Sequence, residues 1–175
     1  CWGEIPATDQ IIQPFGGLDD LRKGVIRAVG PGVFEADPAR LIRAVRLGAK
    51  LGFKIEEKTR QLILRDAHMV RSIAGERIRD ELLSIVSMER AKTHLATLDE
   101  LDLLCAIIPE LVATKGVEQP IEHYWDVYNH SLEAVERVER VTASRCRRLG
   151  PTLVPWSEDV EHHFSQEWAD GHSRR

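Results

Sequence analysis

FEADPARLIRAVRLGAKLGF, residues 34–53, reads as a helix with its start, both faces and its stop all written in. Asp37-Pro38 opens it: Asp caps free backbone N–H groups, and Pro in the first turn gives up no donor that the helix needs. Leu41, Ala44, Val45 and Ala49 recur at helical spacing, and Ile42, Leu47 and Leu51 widen that apolar stripe. Arg40, Arg43, Arg46 and Lys50 form a basic row on another side, and Gly52 ends the run. One oily and one basic face suit a helix that packs on its own chain while handling a phosphate-rich partner.

Outward from this helix the charge is divided. The chain of 175 residues carries a net charge of −4. Residues 40–79 nevertheless hold eleven Lys and Arg against four Asp and Glu, whereas residues 80–175 hold ten against eighteen. A local positive field over the basic block can attract phosphates despite the acidic whole, although Lys and Arg also line any solvated helix face. The apolar content supports a real core, in one domain or two small ones. No uninterrupted apolar run reaches the roughly 18 residues of a membrane span. Cys1, Cys105 and Cys146 are odd in number and scattered, giving neither a disulfide framework nor a zinc spacing, so a reducing cytoplasm is expected. The chain opens on Cys1 rather than Met and reads as an internal fragment.

Residues 1–36 are rich in Gly and Pro, with β-leaning runs at residues 10–12 and 25–29 around the turn chemistry of Gly16-Gly17. Two short strands or a hairpin are expected there rather than a helix. Such a piece cannot bury itself and is expected to be the remnant of a larger αβ domain. From Asp37 the pattern is almost wholly helical, with helices expected near 37–51, 56–67, 74–87, 89–99, 101–108 and 122–142. Thr59, Leu62 and Ile63 point inward in the second; Ile78, Leu82, Leu83, Ile85 and Val86 do so in the third. Residues 98–111 are dense in Leu and Ile and should be deeply packed, with Pro109 stopping the helix. Residues 112–120 read as a linker, and residues after Thr142 follow no pattern that assigns them.

The motifs PFGGLDDL (residues 14–21), GVIRAVG (24–30), ADPARLIRAVRLGAKLGF (36–53) and ERIRDELL (76–83), in that order, resemble the bacterial class II tRNA nucleotidyltransferase/poly(A) polymerase family, which includes enzymes that add CCA to tRNA 3′ ends. The resemblance spans roughly residues 11–135. It implies a mostly α fold: a remnant of the nucleotidyltransferase head over residues 1–36, a helical neck of RNA-binding type over 37–111, and the start of a further helical, HD-like region over 112–175. It implies a cytoplasmic parent enzyme that uses Mg²⁺, takes CTP and ATP, and acts on a tRNA or other RNA 3′ end.

By that resemblance Asp37 and Arg40 select the incoming nucleotide. The chemistry is apt: a carboxylate accepts from an exocyclic amine and a guanidinium donates to ring acceptors. The family usually has an acidic residue where Ala36 stands, and the competing reading makes Asp37 an N-cap alone. Arg43 and Arg46 either bind nucleotide phosphates or hold the neck helix to the head, as the resemblance implies, or they pair with Glu76 or Asp80 of the following helix. Gly16, Gly17 and Asp20 match the head–neck hinge, with Asp20 able to pin a tight turn and Gln13 standing where the family has an aspartate.

The string HYWDVYNHSL (residues 123–132) resembles the first helix of an HD phosphohydrolase domain and makes His130 a candidate metal ligand. Asp126 lies four residues before it, but the completing His-Asp doublet does not occur before Arg175. The Asp-x-Asp pair that holds the polymerase metals is absent too, since Asp19 and Asp20 are adjacent and belong to another motif. The chain alone is therefore expected not to catalyse transfer. Two other classes fit: an RNA-binding module without chemistry, and the leading part of a metal-dependent phosphohydrolase.

Overall fold

The computed structural model describes residues 14–117 and 125–142, and the backbone of two short strands beyond them, Glu167–Ala169 and His172–Ser173, which pair antiparallel. The expected β-run at residues 10–12 lies outside these residues. In chain order come α1 (Gly17–Lys23), β1 (Val25–Ile26), α2 (Val33–Ala36), α3 (Ala39–Leu51), β2 (Lys54–Ile55), α4 (Glu57–Asp66), α5 (Gly75–Val86), α6 (Ala91–Glu100), α7 (Leu103–Ile107) and α8 (Val127–Thr142). Short 3₁₀ segments cover Ala67–Ser72 and Pro109–Thr114. The fold is mostly α, with a small strand pair at its edge.

The organising helix starts and stops where its residues dictate. Asp37 accepts the N–H of Ala39 through its side chain (3.2 Å) and that of Arg40 through its carbonyl (3.1 Å). Gly52, at φ 68°, closes the C-terminus in the left-handed conformation that glycine takes without strain. Leu41, Ile42, Ala44, Val45 and Gly48 are buried, whereas Leu51 is half exposed and does not widen the stripe. Ten residues on from Leu41, Leu51 falls about 80° around the helix from it, at the margin of the buried face.

Two expectations for residues 14–36 are corrected. Residues 17–23 form α1 where a turn and no helix were expected, because of the paired glycines only Gly16 adopts a left-handed φ (69°) and the Leu-Asp-Asp-Leu run that follows is free to coil. β1 is a strand, but its partner is no hairpin neighbour. It pairs in parallel with β2, Val25 opposite Lys54 and Ile26 opposite Ile55, across the whole of α2 and α3. The strand pair lies on α3 at Gly48, where a Cβ would stand 3.2 Å from the Phe53 carbonyl oxygen and 3.7 Å from Ile55 Cγ1. Glycine is what permits that approach.

Behind α3 the other helices close one core. Ile63, Val70, Ile85, Leu98, Leu101 and Leu103 are all fully buried with Leu41 and Ile42. Thr59 is buried as expected, its hydroxyl accepting the N–H of Ala28 at 2.9 Å and thereby fastening α4 to the segment after β1. Val86 and Ile108 are each 38% exposed, against the expectation that both were interior, since each sits where its helix gives out.

Candidate nucleotide-selecting site

Asp37 and Arg40 stand together at the start of α3, with Arg40 Nε 3.7 Å from Asp37 Oδ2. Arg40 also donates from Nη1 to the Val33 carbonyl (3.3 Å), which ties its guanidinium to the first residue of α2. Asp37 caps its own helix, so the N-cap reading and the placement beside Arg40 coexist. A residue that the sequence reading passed over completes the group: Arg77 of α5 donates to both carboxylate oxygens of Asp37, at 3.1 and 3.3 Å. The signal was present, since Arg77 lies within the ERIRDELL motif, but only the packing of α5 on α3 shows which acid it meets.

Arg43 and Arg46 converge one turn further on. Both donate to Glu81 of α5, Arg43 at 3.2 Å to one oxygen and Arg46 through a short bond to the other. The expected partners, Glu76 and Asp80, are not used. α5 turns Ile78, Leu82 and Ile85 to the core, so Glu81 borders that stripe (side chain 11% exposed) while Asp80 lies out in solvent (60%) and pairs with Arg79. The basic row is thus partly neutralised: among its members Arg43 is 45% exposed and Arg46 only 20%.

The glycine motif is held differently from expectation. Asp20 does not pin the Gly16-Gly17 turn but reaches forward to Arg27 (2.9 Å), which also meets Glu56 at 3.2 Å. Those two carboxylates, through hydrogen bonding and charge, push the Arg27 guanidinium above its ordinary range. Asp20 therefore links α1 to the strand pair. Beside it, a groove of about 500 Å³ runs between residues 27–31 and α4, bordered by Arg27, Lys58 and Arg65. Acids offset the arginines there, since Arg65 pairs with Asp66 at 2.7 Å and with Glu35 at 3.3 Å.

Around His130 the described residues hold no metal centre; no three His, Cys, Asp or Glu converge among them. Asp126 serves as the cap of α8 instead, accepting the N–H of Asn129 (2.7 Å) and of Gly116 (2.8 Å). These bonds hold its carboxyl below its ordinary value of 3.8. The folded value is the lower one, so the cap's contribution is fully present above the unfolded value and is lost as pH falls through the folded one. Replacing Asp126 with Asn keeps a capping oxygen that does not titrate. The urea midpoint of Asp126→Asn is therefore expected to lose less between pH 5 and pH 3 than that of the parent chain; equal losses would remove Asp126 from the acid response.

α8 is fastened to the neck at two places. Lys92 of α6 pairs with Glu133 and, at 2.8 Å, with Glu136. Near the other end of α8, Lys115 meets Asp99 at 2.7 Å and lies 4.8 Å from the centre of the Tyr128 ring. Burial works to raise the Asp99 carboxyl, but the bonds from Lys115 and Cys105, with the Tyr128 hydroxyl nearby, outweigh it and leave the group lowered. Burial and the Asp99 carboxylate push the Tyr128 hydroxyl and the Cys105 thiol up, so both stay protonated at neutral pH. This is a structural junction with an inert thiol.

An acid–arginine pair at the start of α3, a strand pair at one edge and a helical body behind define the class: the helical neck and body region of a nucleotidyltransferase. Residues 52–114 match the family model described as the probable RNA and SrmB-binding site of polymerase A. The chain is 34% identical over 134 residues to the A-adding tRNA nucleotidyltransferase of Deinococcus radiodurans, covering 74% of this chain and 31% of that protein. It is 44% identical over 88 residues to the CC-adding tRNA nucleotidyltransferase of Geobacter sulfurreducens, covering 50% and 20%. A solved tRNA-processing enzyme with CTP superposes with a TM-score of 0.52 at 26% identity, over 65% of this chain and 30% of that one. The chain belongs to the tRNA nucleotidyltransferase/poly(A) polymerase family. It spans about a third or less of the length of the two curated relatives described.

Proposed function

We propose that this chain selects the incoming nucleotide and supports the RNA 3′ end within a cytoplasmic, template-independent nucleotidyltransferase that adds CMP and AMP to tRNA. In this reading residues 37–111 are the neck, residues 1–36 close the head, and residues 112–175 begin a further helical region. Gly16, Gly17 and Asp20 are the joint between head and neck. The observation that carries the reading is the pairing of Asp37 and Arg40, an acceptor and a set of donors side by side at the exposed start of α3. A cytosine or adenine presents the complementary pattern on its pairing edge, an exocyclic N–H beside a ring acceptor, whereas uracil and guanine present carbonyl and ring N–H instead. Arg43 and Arg46 stand next along the helix, where exchange from Glu81 to a nucleotide phosphate keeps each arginine paired.

The relatives' names support CTP and ATP as substrates and tRNA as partner. Mg²⁺ is not assigned to the described residues: Asp19 pairs with Arg22 and Asp20 with Arg27, leaving no set of carboxylates to hold it. No described helix is long and apolar enough to cross a membrane.

The test is incorporation of labelled CTP and ATP into tRNA lacking its 3′ end. This chain is compared with a form extended upstream through its native reading frame. Incorporation by the extended form alone, and loss of discrimination against UTP and GTP on Arg40→Ala, are the expected results. Unchanged selectivity in Arg40→Ala would sink the assignment. Binding of tRNA without incorporation by either form would leave the non-catalytic RNA-binding module as the correct class.

A further inference from the structure

In the groove between residues 27–31 and α4 the charged acceptor is used up, while the charged donors are only partly so. The Glu56 carboxylate meets Arg27 at 3.2 Å through one oxygen and accepts the Thr59 hydroxyl at 3.2 Å through the other. Arg27 engages Asp20 through Nε and Nη2 and Glu56 through Nη1, so each Nη keeps one hydrogen. Arg65 turns Nε and Nη2 to Asp66, Pro31 and Glu35, while its Nη1 meets none of the described residues. Lys58, exposed on the same groove, has no acid partner among the described residues. The lining between these cations includes the apolar Ala28, Pro31 and Leu62, and the space of about 500 Å³ admits a ligand of nucleoside size.

A ligand that fits has apolar faces, acceptors on its edges and a single negative charge. The charge is limited because Asp20, Glu56, Asp66 and Glu35 neutralise the two guanidiniums and leave Lys58 alone to meet an anion. A free nucleoside triphosphate brings several charges and is poorly matched, whereas one link of an RNA strand brings one phosphate. The groove is also tied to the start of α3 through α2, since Glu35 on that helix meets Arg65 and its Val33 carbonyl meets Arg40.

We propose that this groove seats one unpaired nucleotide of the RNA 3′ strand, its base over Pro31 and Leu62 between the two guanidiniums and its phosphate at Lys58. The inference rests on the RNA-supporting reading given above. The acids hold both guanidiniums in place before the base arrives, so little freedom is lost on binding. What is recognised is the unpaired state: inside a duplex a base has its faces covered by the stack and its edge by its partner.

The experiment measures binding of this chain to an RNA hairpin with a short unpaired 3′ extension and to the same hairpin with a blunt end. The parent should prefer the extended hairpin by about tenfold. A Cβ at Gly30, on the groove, would meet nothing within 4 Å, and its φ is not left-handed, so Gly30→Leu fills the space without displacing a neighbour. That variant should lose the preference and keep the blunt-end affinity. Lys58→Ala should weaken binding of the extended hairpin and lower its salt slope by about 0.7, the share of one phosphate on a single strand. Lys54→Ala removes an equally exposed lysine outside the groove and should leave the preference intact. A full preference in Gly30→Leu, or an equal loss for both hairpins, would overturn the proposal. Should Gly30→Leu melt below the parent, the two lysines decide, and equal effects at Lys54 and Lys58 would overturn it. Loss of CTP binding in Gly30→Leu would assign the groove to a free nucleotide instead. Equal binding of both hairpins by the parent would sink this inference alone, whereas binding of neither would sink the RNA-supporting reading with it.

Discussion

Truncation of Leu41 to Ala is expected to lower the unfolding free energy by about 3 kcal/mol, the usual cost of removing three carbons from a filled core. Leu41 is fully buried on the face of α3 that the other helices close over. Its loss leaves a cavity that α5 and α6 cannot both fill, because α3 is tied to α5 by ion pairs that flank the gap. Leu51, ten residues further along the same helix and half exposed, provides the control. Leu51→Ala should shift stability by no more than about 0.5 kcal/mol. Urea unfolding of both variants decides the matter, and equal midpoints would mean that the stripe on α3 is not the core face. With total stabilities of about 5–15 kcal/mol for such domains, the Leu41 variant still has a measurable folded state.

Glu81→Ala is expected to cost about 2 kcal/mol, between the value of an exposed pair and that of a buried one. Glu81 is 11% exposed and receives two arginines. Arg43, half exposed, can swing into water when the acid is removed. Arg46, only 20% exposed, is left with its charge close to the α3–α5 contact and no carboxylate opposite. The penalty should therefore reside mainly in Arg46. Adding Arg46→Met to Glu81→Ala should recover about half of the loss or more, since an apolar stem fits where an unpaired charge does not. Arg43→Met added in the same way should recover little. If both double variants behave alike, the two arginines share the cost and the argument from exposure is wrong.

The parts that could be read in advance are those where chemistry is written locally. The α3 stripe, its Asp-Pro start and its Gly stop all lie within twenty residues, and they appear within one or two positions of expectation. β1 and β2 could not be read: two residues carry no periodicity, and their pairing joins segments separated by the whole of α2 and α3. α1 was hidden by its paired glycines, of which only Gly16 needs a left-handed conformation. The side chains proposed to read the base were named from motif resemblance, but their partners were missed for a consistent reason. Helix phase fixes which acid on α5 borders the interface, and an error of one residue turns Glu81 into Asp80, about 100° around the helix. The same limit concealed Arg77, whose pairing with Asp37 exists only once α5 is laid against α3. His130 shows the converse, since spacing suggested a ligand pair while the carboxylate of Asp126 was already needed as a cap.

The start of α6 has a bearing on how the chain is made. Arg90, at φ 64°, opens that helix in a conformation rare for residues with a side chain, and the N–H groups of Arg90 and Ala91 are both held by the carboxylate of Glu139. Glu139 follows Arg90 by 49 residues. At roughly 5–20 residues per second a ribosome delivers it some seconds after Arg90 has been added. During that interval the N–H groups of Arg90 and Ala91 lack this carboxylate, and the left-handed backbone at Arg90 relies on local bonds such as those its carbonyl accepts from the Thr93 and His94 N–H groups. The neck is thus completed from behind, by a later helix that reaches back across the growing chain, and nascent chains halted before Glu139 should protect α6 from proteolysis less well than those halted after it.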